Sequence, residues 1–450
     1  MKKNSHFDFL TYLLLLLSLN FNTALTAEPL KPISPRNDIS TALFNQYDNY
    51  KETNITHRRF KHKDILPLIQ SLPFEKQVVA QSFEKRDIYQ IKLGTGKIKI
   101  LLWSQMHGDE STATMALFDI FKFFQGKNDG FDGFRKEILD KCTLYFVPIL
   151  NPDGAERFQR RTATEIDMNR DALRLQTPEG VLLKKLQNTL MPNFAFNLHD
   201  QGTRTSAGNS PRQATISFLA TAYDMERHWN TVRKKSMQVI CSMNTVLQQF
   251  VAGHVAKYSD EHEPRAFGDN IQKWGSSLIL IESGGYKDDK EKQFIRKLNF
   301  VAILSAFESI SLEKYKKYKL KHYNALPNND SYLFDLLIRN VQFIENGQTI
   351  LKDIGINLTE RNMDNATQFS IDSRIEDMGD LSIFWGIKEM DAKGMTLHFP
   401  KDYLSELQQL NLSNKQMQMD MLKRGDEATF ILERNGKIEA VIINGVNVSQ

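Results

Sequence analysis

Ile98-Lys-Ile-Leu-Leu-Trp103 runs through Ser104-Gln-Met106 into His107-Gly-Asp-Glu110. A short apolar run of this kind fits a strand buried on both faces, and polar residues able to do chemistry follow it at once. The same texture returns three times. Residues 143–150 lead to Asn151-Pro-Asp-Gly154, residues 194–198 to His199-Asp200, and residues 277–281 to Glu282. Amphipathic stretches at 111–125, 178–190 and 224–249 separate these runs. Strand and helix in alternation predict an α/β sandwich around a largely parallel central sheet. In open α/β sheets ligands bind beyond the carboxyl ends of the strands, so the four polar strand ends should meet in one crevice.

The residue types at those ends suit a metal. His107, Glu110 and His199 offer two imidazoles and one carboxylate, the three-ligand set that leaves zinc an open fourth position. Glu110, close to a helix start, also gains from the positive end of that helix. A single histidine is more often an ordinary hydrogen-bonded residue, but candidates at successive strand ends reverse that balance. Glu282 closes the most apolar strand of the chain, where a carboxylate is costly to bury unless it faces a cleft or a partner. Its two readings are a general base beside zinc and a structural salt bridge. Arg160-Arg161 and Asn169-Arg170 lie in the loop after Asn151-Pro-Asp-Gly154. Arginine grips carboxylates bidentately, and a second guanidinium can stabilise an oxyanion. The plainer reading is an exposed basic loop balanced by Asp167 and Asp171.

Composition is that of a globular protein, with 41% hydrophobic and 25% charged residues in 450. The net charge of +4 is dispersed, and the densest basic run, Lys314-Tyr-Lys-Lys-Tyr-Lys-Leu-Lys321, reads as a solvated helix face; no nucleic-acid partner is expected. Lys2 and Lys3, an apolar stretch from Leu10 to Leu19, and Ala24-Leu-Thr-Ala27 predict a signal peptide over residues 1–27. The apolar stretch is short for a bilayer span, so the expected product is exported, periplasmic or secreted, with no stable membrane insertion after cleavage. Cys142 and Cys241 are expected as buried thiols rather than a pair.

Residues 28–75 read as a polar, partly helical lead-in and residues 76–322 as the catalytic domain. Asn324-Ala-Leu-Pro-Asn-Asn-Asp330 is rich in turn formers and reads as a linker. Beyond it, Asn346-Gly347 and Asn435-Gly436 each sit between apolar runs, the signature of two-residue hairpin turns with positive φ. Residues 323–450 are therefore predicted to be a small all-β accessory domain of sandwich type.

Taken in order, His107-Gly-Asp-Glu110, Asn151-Pro-Asp-Gly154, Asp167-Met-Asn-Arg170, His199 and Glu282 resemble the zinc carboxypeptidase (carboxypeptidase A-like) family. The resemblance implies a three-layer α/β/α sandwich with a mixed sheet, one zinc per chain, and hydrolysis of amide bonds. It makes His107, Glu110 and His199 the metal ligands and Glu282 the general base. Asn169 and Arg170 become the pair that binds a substrate's terminal carboxylate, and Arg161 the oxyanion arginine, with Arg160 as runner-up. Tyr258, and after it Tyr286, stands for the family's mobile tyrosine. Asp171 after Arg170, and Asp200-Gln201 after His199, depart from the residues common in digestive carboxypeptidases. The resulting expectation is an exported zinc metallocarboxypeptidase acting on peptides with a free carboxylate. The alternatives are an amidase or deacylase of peptidoglycan stem peptides or acyl-amino acids, and a non-catalytic binding module.

Overall fold

A computed structural model of the chain describes residues 39–403, 407, 412 and 414–449. The signal-peptide expectation falls on residues 1–27, outside the described residues. The described residues begin with helices α1 (Ile39–Asn45) and α2 (His62–Ser71), then strands β1 (Glu75–Gln81), β2 (Asp87–Leu93) and β3 (Ile98–Ser104). Helices α3 (Thr112–Gln125) and α4 (Asp132–Lys141) lead to β4 (Cys142–Val147). Next come α5 (Pro152–Arg157), α6 (Pro178–Leu190), β5 (Phe194–Asp200), β6 (Ser206–Ala207) and β7 (Ile216–Leu219). Helix α7 (Thr231–Leu247), β8 (Val255–Lys257), α8 (Phe267–Lys273), β9 (Ser277–Ser283) and α9 (Gln293–Ser311) complete this part.

Eight strands join in the order β1-β2-β4-β3-β5-β9-β7-β8. The central run β4-β3-β5-β9 is parallel, while β2 meets β4, and β7 meets β9, in antiparallel register. The sheet is mixed, with a parallel centre. Because side chains alternate along a strand, Ile100 and Leu102 enter one core with α3, α7 and α9. Leu101 and Trp103 enter a second core with α6 and α8. Helices therefore cover both faces, and the three-layer α/β/α sandwich stands.

From Ile39 on, the lead-in is part of the core. Leu43, Tyr47, Tyr50, Ile55, Phe60 and Ile65 are buried in the cluster that contains α3 and α9. An ion pair locks it there. Asp119 on α3 and Arg296 on α9 are both fully buried, 2.5 Å apart. The Tyr47 hydroxyl and the Glu52 amide donate to Asp119, and Arg296 donates to the Glu52 and Ile55 carbonyls. Removing one partner strands a buried charge, so Asp119→Ala is expected to cost about 3–5 kcal/mol in urea unfolding. A loss below about 1 kcal/mol would show that the pair does not hold the lead-in.

Cys142 and Cys241 are free and buried, and burial pushes each thiol up to about 12. No helix among the described residues is long and apolar enough to cross a membrane.

After a short helix α10 (Leu320–Asn324), the stretch read as a linker is tied down: β10 (Asn329–Asp330) pairs antiparallel with β6. Then follow β11 (Leu333–Glu345), β12 (Gln348–Asn362), β13 (Phe369–Gly379), β14 (Trp385–Asp391) and β15 (Thr396–His398). Strands β16 (Phe430–Arg434), β17 (Lys437–Ile443) and β18 (Val446–Asn447) end the chain. Asn346-Gly347 and Asn435-Gly436 all take positive φ at the two hairpin turns, as two-residue turns require. Where two sheets were expected, all these strands from β11 onward form one eight-stranded sheet. Ile354 and Ile375 share a core with Phe430 and Ile442, strands distant in the sheet order, so the single sheet wraps over its own interior.

Candidate metal centre

The loop after β3 is shaped by close packing. Gly108 lies so near the Gly154 backbone that a Cβ would fall 2.0 Å from the Gly154 carbonyl carbon, so only glycine fits. The Leu150 and Asn151 amides donate to the Ser104 and Gln105 carbonyls, fastening the loop after β4 to the loop after β3. Asn151 accepts from the Gly154 amide and caps α5, and its amide group donates to the Met106 carbonyl. Asp153, fully buried, binds Ser82, Arg86 and the Glu84 amide. Both residues of Asn151-Pro-Asp-Gly154 that looked chemical therefore build the scaffold.

His107, Glu110 and His199 converge. Donor atoms from the three lie within 4.8 Å of one another. Glu110 receives His107 Nδ1 on one carboxylate oxygen at 2.7 Å and His199 Nδ1 on the other at 2.6 Å. The three side chains are almost wholly buried. Asp167 takes the far nitrogen of His107, Nε2, at 3.2 Å, fixing the ring as outer carboxylates do in metal sites. Burial would raise Glu110, but the two imidazoles hold it well below the usual carboxylate range. Burial would lower His107, yet Glu110 and the Asp167 hydrogen bond carry it to about 9. An Arg160 nitrogen stands 3.0 Å from His107 Nδ1 and 3.3 Å from Glu110, so a cationic group already sits against this donor set. Two Nδ1 atoms, a carboxylate and an outer carboxylate fit zinc.

Glu282 stands on β9 in register with His199 on β5, so the two side chains emerge on the same side of adjacent parallel strands. It is buried, and among the described residues it has no ion pair; the salt-bridge reading has no partner. Burial, then the charges of Glu110 and Asp200, push its carboxyl well above the ordinary value, against Lys292 and Arg160. Lys292 escaped the sequence reading. It sits in the charged run Lys287-Asp-Asp-Lys-Glu-Lys292, which reads as surface, yet it is buried and donates to Asp200 at 3.1 Å and to the Ser283 carbonyl at 2.8 Å.

The two arginines part ways. Arg161 donates to the Glu165 carbonyl from an exposed position, away from the ligands. Arg160 turns inward, held by both nitrogens on Asp167 at 3.0 and 3.1 Å. Of the two candidates for the oxyanion role, Arg160 is therefore the one that touches the donor set. Arg160→Ala is expected to lower kcat about 10²- to 10³-fold, as loss of an oxyanion donor does, and Arg161→Ala less than threefold or so. Equal losses in steady-state assays would contradict that distinction.

Asn169 accepts from the Phe267 amide at 3.0 Å, and Arg170 pairs with Glu263 at 3.1 Å while donating to the Asn169 carbonyl. Tyr258 is half-exposed; burial and then the charges of Glu282 and Glu110 raise its hydroxyl. Tyr286 packs on Phe294 and His254.

Residues 73–273 match the family model for zinc carboxypeptidases, a span that includes the three candidate ligands and stops short of Glu282. Carboxypeptidase 2 of Trichophyton rubrum is 28% identical over 104 residues, 23% of this chain and 19% of the fungal protein. Carboxypeptidase 2 of Trichophyton tonsurans is 27% identical over 109 residues, 24% of this chain and 20% of its own length. The chain thus spans about a fifth of these relatives. Among solved structures, a metallo-carboxypeptidase from Burkholderia cenocepacia has a TM-score of 0.45 at 17% identity, over 56% of this chain and 69% of that one. A Pseudomonas aeruginosa metallo-carboxypeptidase, solved with (2-guanidinoethylmercapto)succinic acid, has a TM-score of 0.44 at 14% identity, over 57% and 70%. Over residues 73–273 the chain is thus similar to the zinc carboxypeptidase family.

Proposed function

We propose that this chain is an exported zinc metallocarboxypeptidase that removes residues from the C-termini of peptides. The observation that carries the reading is the buried donor set of His107, Glu110 and His199 beside Glu282, a carboxylate in register with His199 that has no ion pair among the described residues. Zinc held by that set supplies a Lewis acid and lowers the pKa of water to about 7. Glu282 accepts the proton of the attacking water as the new C–O bond forms, and its raised proton affinity suits it to hold that proton. It returns the proton to the amide nitrogen as the C–N bond breaks, so no proton is gained or lost overall. Arg160 directs its guanidinium N–H groups toward the carbonyl oxygen where negative charge develops.

Asn169 and Arg170 take the terminal carboxylate. Arg170 is held by Glu263 in a partly exposed pair, worth little in water, so a carboxylate ligand competes with it readily. Export rests on Lys2, Lys3 and the apolar stretch from Leu10 to Leu19. The test is a library of peptides and muropeptides digested by the full chain with and without a chelator and read by mass spectrometry. Loss of single C-terminal residues from peptides, abolished by the chelator, is the expected result. Cleavage of muropeptides alone would transfer the same centre to wall substrates, and inertness toward both would leave a binding module.

A further inference from the structure

We infer that the C-terminal sheet acts on the catalytic loop: Arg59, clamped between Phe158 and the β12–β13 hairpin, positions Arg160. The inference rests on the role given to Arg160 above. Arg59 is almost completely buried, an uncommon place for a guanidinium. Its plane lies 4.2 Å from the centre of the Phe158 ring and 4.6 Å from that of Phe369, the first residue of β13. It pairs with Glu360 on β12 at 2.8 Å and donates to the Asn362 side chain at 2.5 Å. Asn362, the last residue of β12, in turn donates to the Phe158 carbonyl at 2.8 Å and to the Arg157 carbonyl at 3.3 Å. The hairpin therefore grips Phe158 by its ring, through Arg59, and by its carbonyl, through Asn362.

Phe158 is the residue whose fixing matters. It ends α5 with φ of 46° and ψ of 57°, a left-handed conformation that a bulky side chain rarely adopts without support. That turn sends the chain from α5 into Gln159 and Arg160. Asp167 holds the Arg160 side chain, and the Phe158 turn directs the backbone that leads to it. Arg58 extends the brace toward the ligands: its guanidinium also binds Glu360, at 2.7 Å, and its carbonyl accepts from Ser111, the neighbour of Glu110. Arg59 is thus a positioning residue, and the C-terminal sheet is a working part of the site rather than an appendage.

The test compares Arg59→Ala, Asn362→Ala and Arg204→Ala in the full chain. Arg204 joins the same two parts elsewhere, donating to Asp335 and to the Leu358 carbonyl, so it controls for general loosening. Amide hydrogen exchange at Phe158 and Gln159, whose amides donate to Ala155 and Gly154, reads the turn without any substrate. Exchange there is expected to quicken at least tenfold in the Arg59 and Asn362 variants but not in the Arg204 variant. Their kcat should fall at least tenfold with KM within about twofold and zinc content unchanged, and Arg59→Lys should recover part of it. Unchanged exchange in both clamp variants, or an equal kcat loss in Arg204→Ala, overturns the inference. A wild type inert toward peptides would instead sink the proposed function, leaving the exchange result to judge the clamp.

Discussion

Glu282→Gln is expected to keep its zinc and its fold while losing about 10²- to 10⁴-fold in kcat, the range a positioned general base supplies. The amide matches the carboxylate in shape but cannot accept the water's proton. Stability should not fall. Glu282 is buried and shares its surroundings with Glu110 and Asp200, charges that already oppose its ionisation. A neutral side chain relieves that opposition, so the Tm is expected to stay level or rise. Turnover within tenfold of wild type, at equal zinc content, would remove Glu282 from the mechanism.

His199→Ala is expected to abolish stable zinc binding. It deletes one of the two imidazoles that meet Glu110 and leaves that carboxylate oxygen with the Asp200 amide alone, at 3.2 Å. Asp167→Ala supplies the scale, because it leaves all three ligands in place while removing the outer partner of His107 and the anchor of Arg160. Loss of such a partner costs about 10- to 100-fold in metal affinity, and loss of a ligand must cost more. Zinc titration with a competing chelator should therefore rank wild type above Asp167→Ala, and Asp167→Ala above His199→Ala. If His199→Ala bound zinc as tightly as wild type, the ligand set would be wrong.

The parallel core was legible because each buried strand is a nearly unbroken apolar run that leads into polar residues, and His107, Glu110, His199 and Glu282 all sit at such ends. What stayed hidden were choices made by three-dimensional packing. Arg160 and Arg161 are identical neighbours, and the folded loop, with its left-handed turn at Phe158 and the Asp167 carboxylate, decides which one meets the donor set. Lys292 was masked by the charges around it, although its amine is buried on Asp200. The lead-in looked polar because Leu43, Tyr47, Tyr50 and Ile55 are spaced among charges, with no strong period to mark a buried face. Asn329 and Asp330 read as linker by residue type, yet backbone pairing with Ala207 and Ser206 makes them a strand. Backbone hydrogen bonds carry no side-chain signature there.

Zinc content of the purified full chain, measured after gel filtration in metal-free buffer, addresses the central claim most directly. About one zinc per chain, restored on adding zinc after chelation and missing from His199→Ala, is the expected result. A wild-type protein that carries no zinc and takes up none would contradict the account.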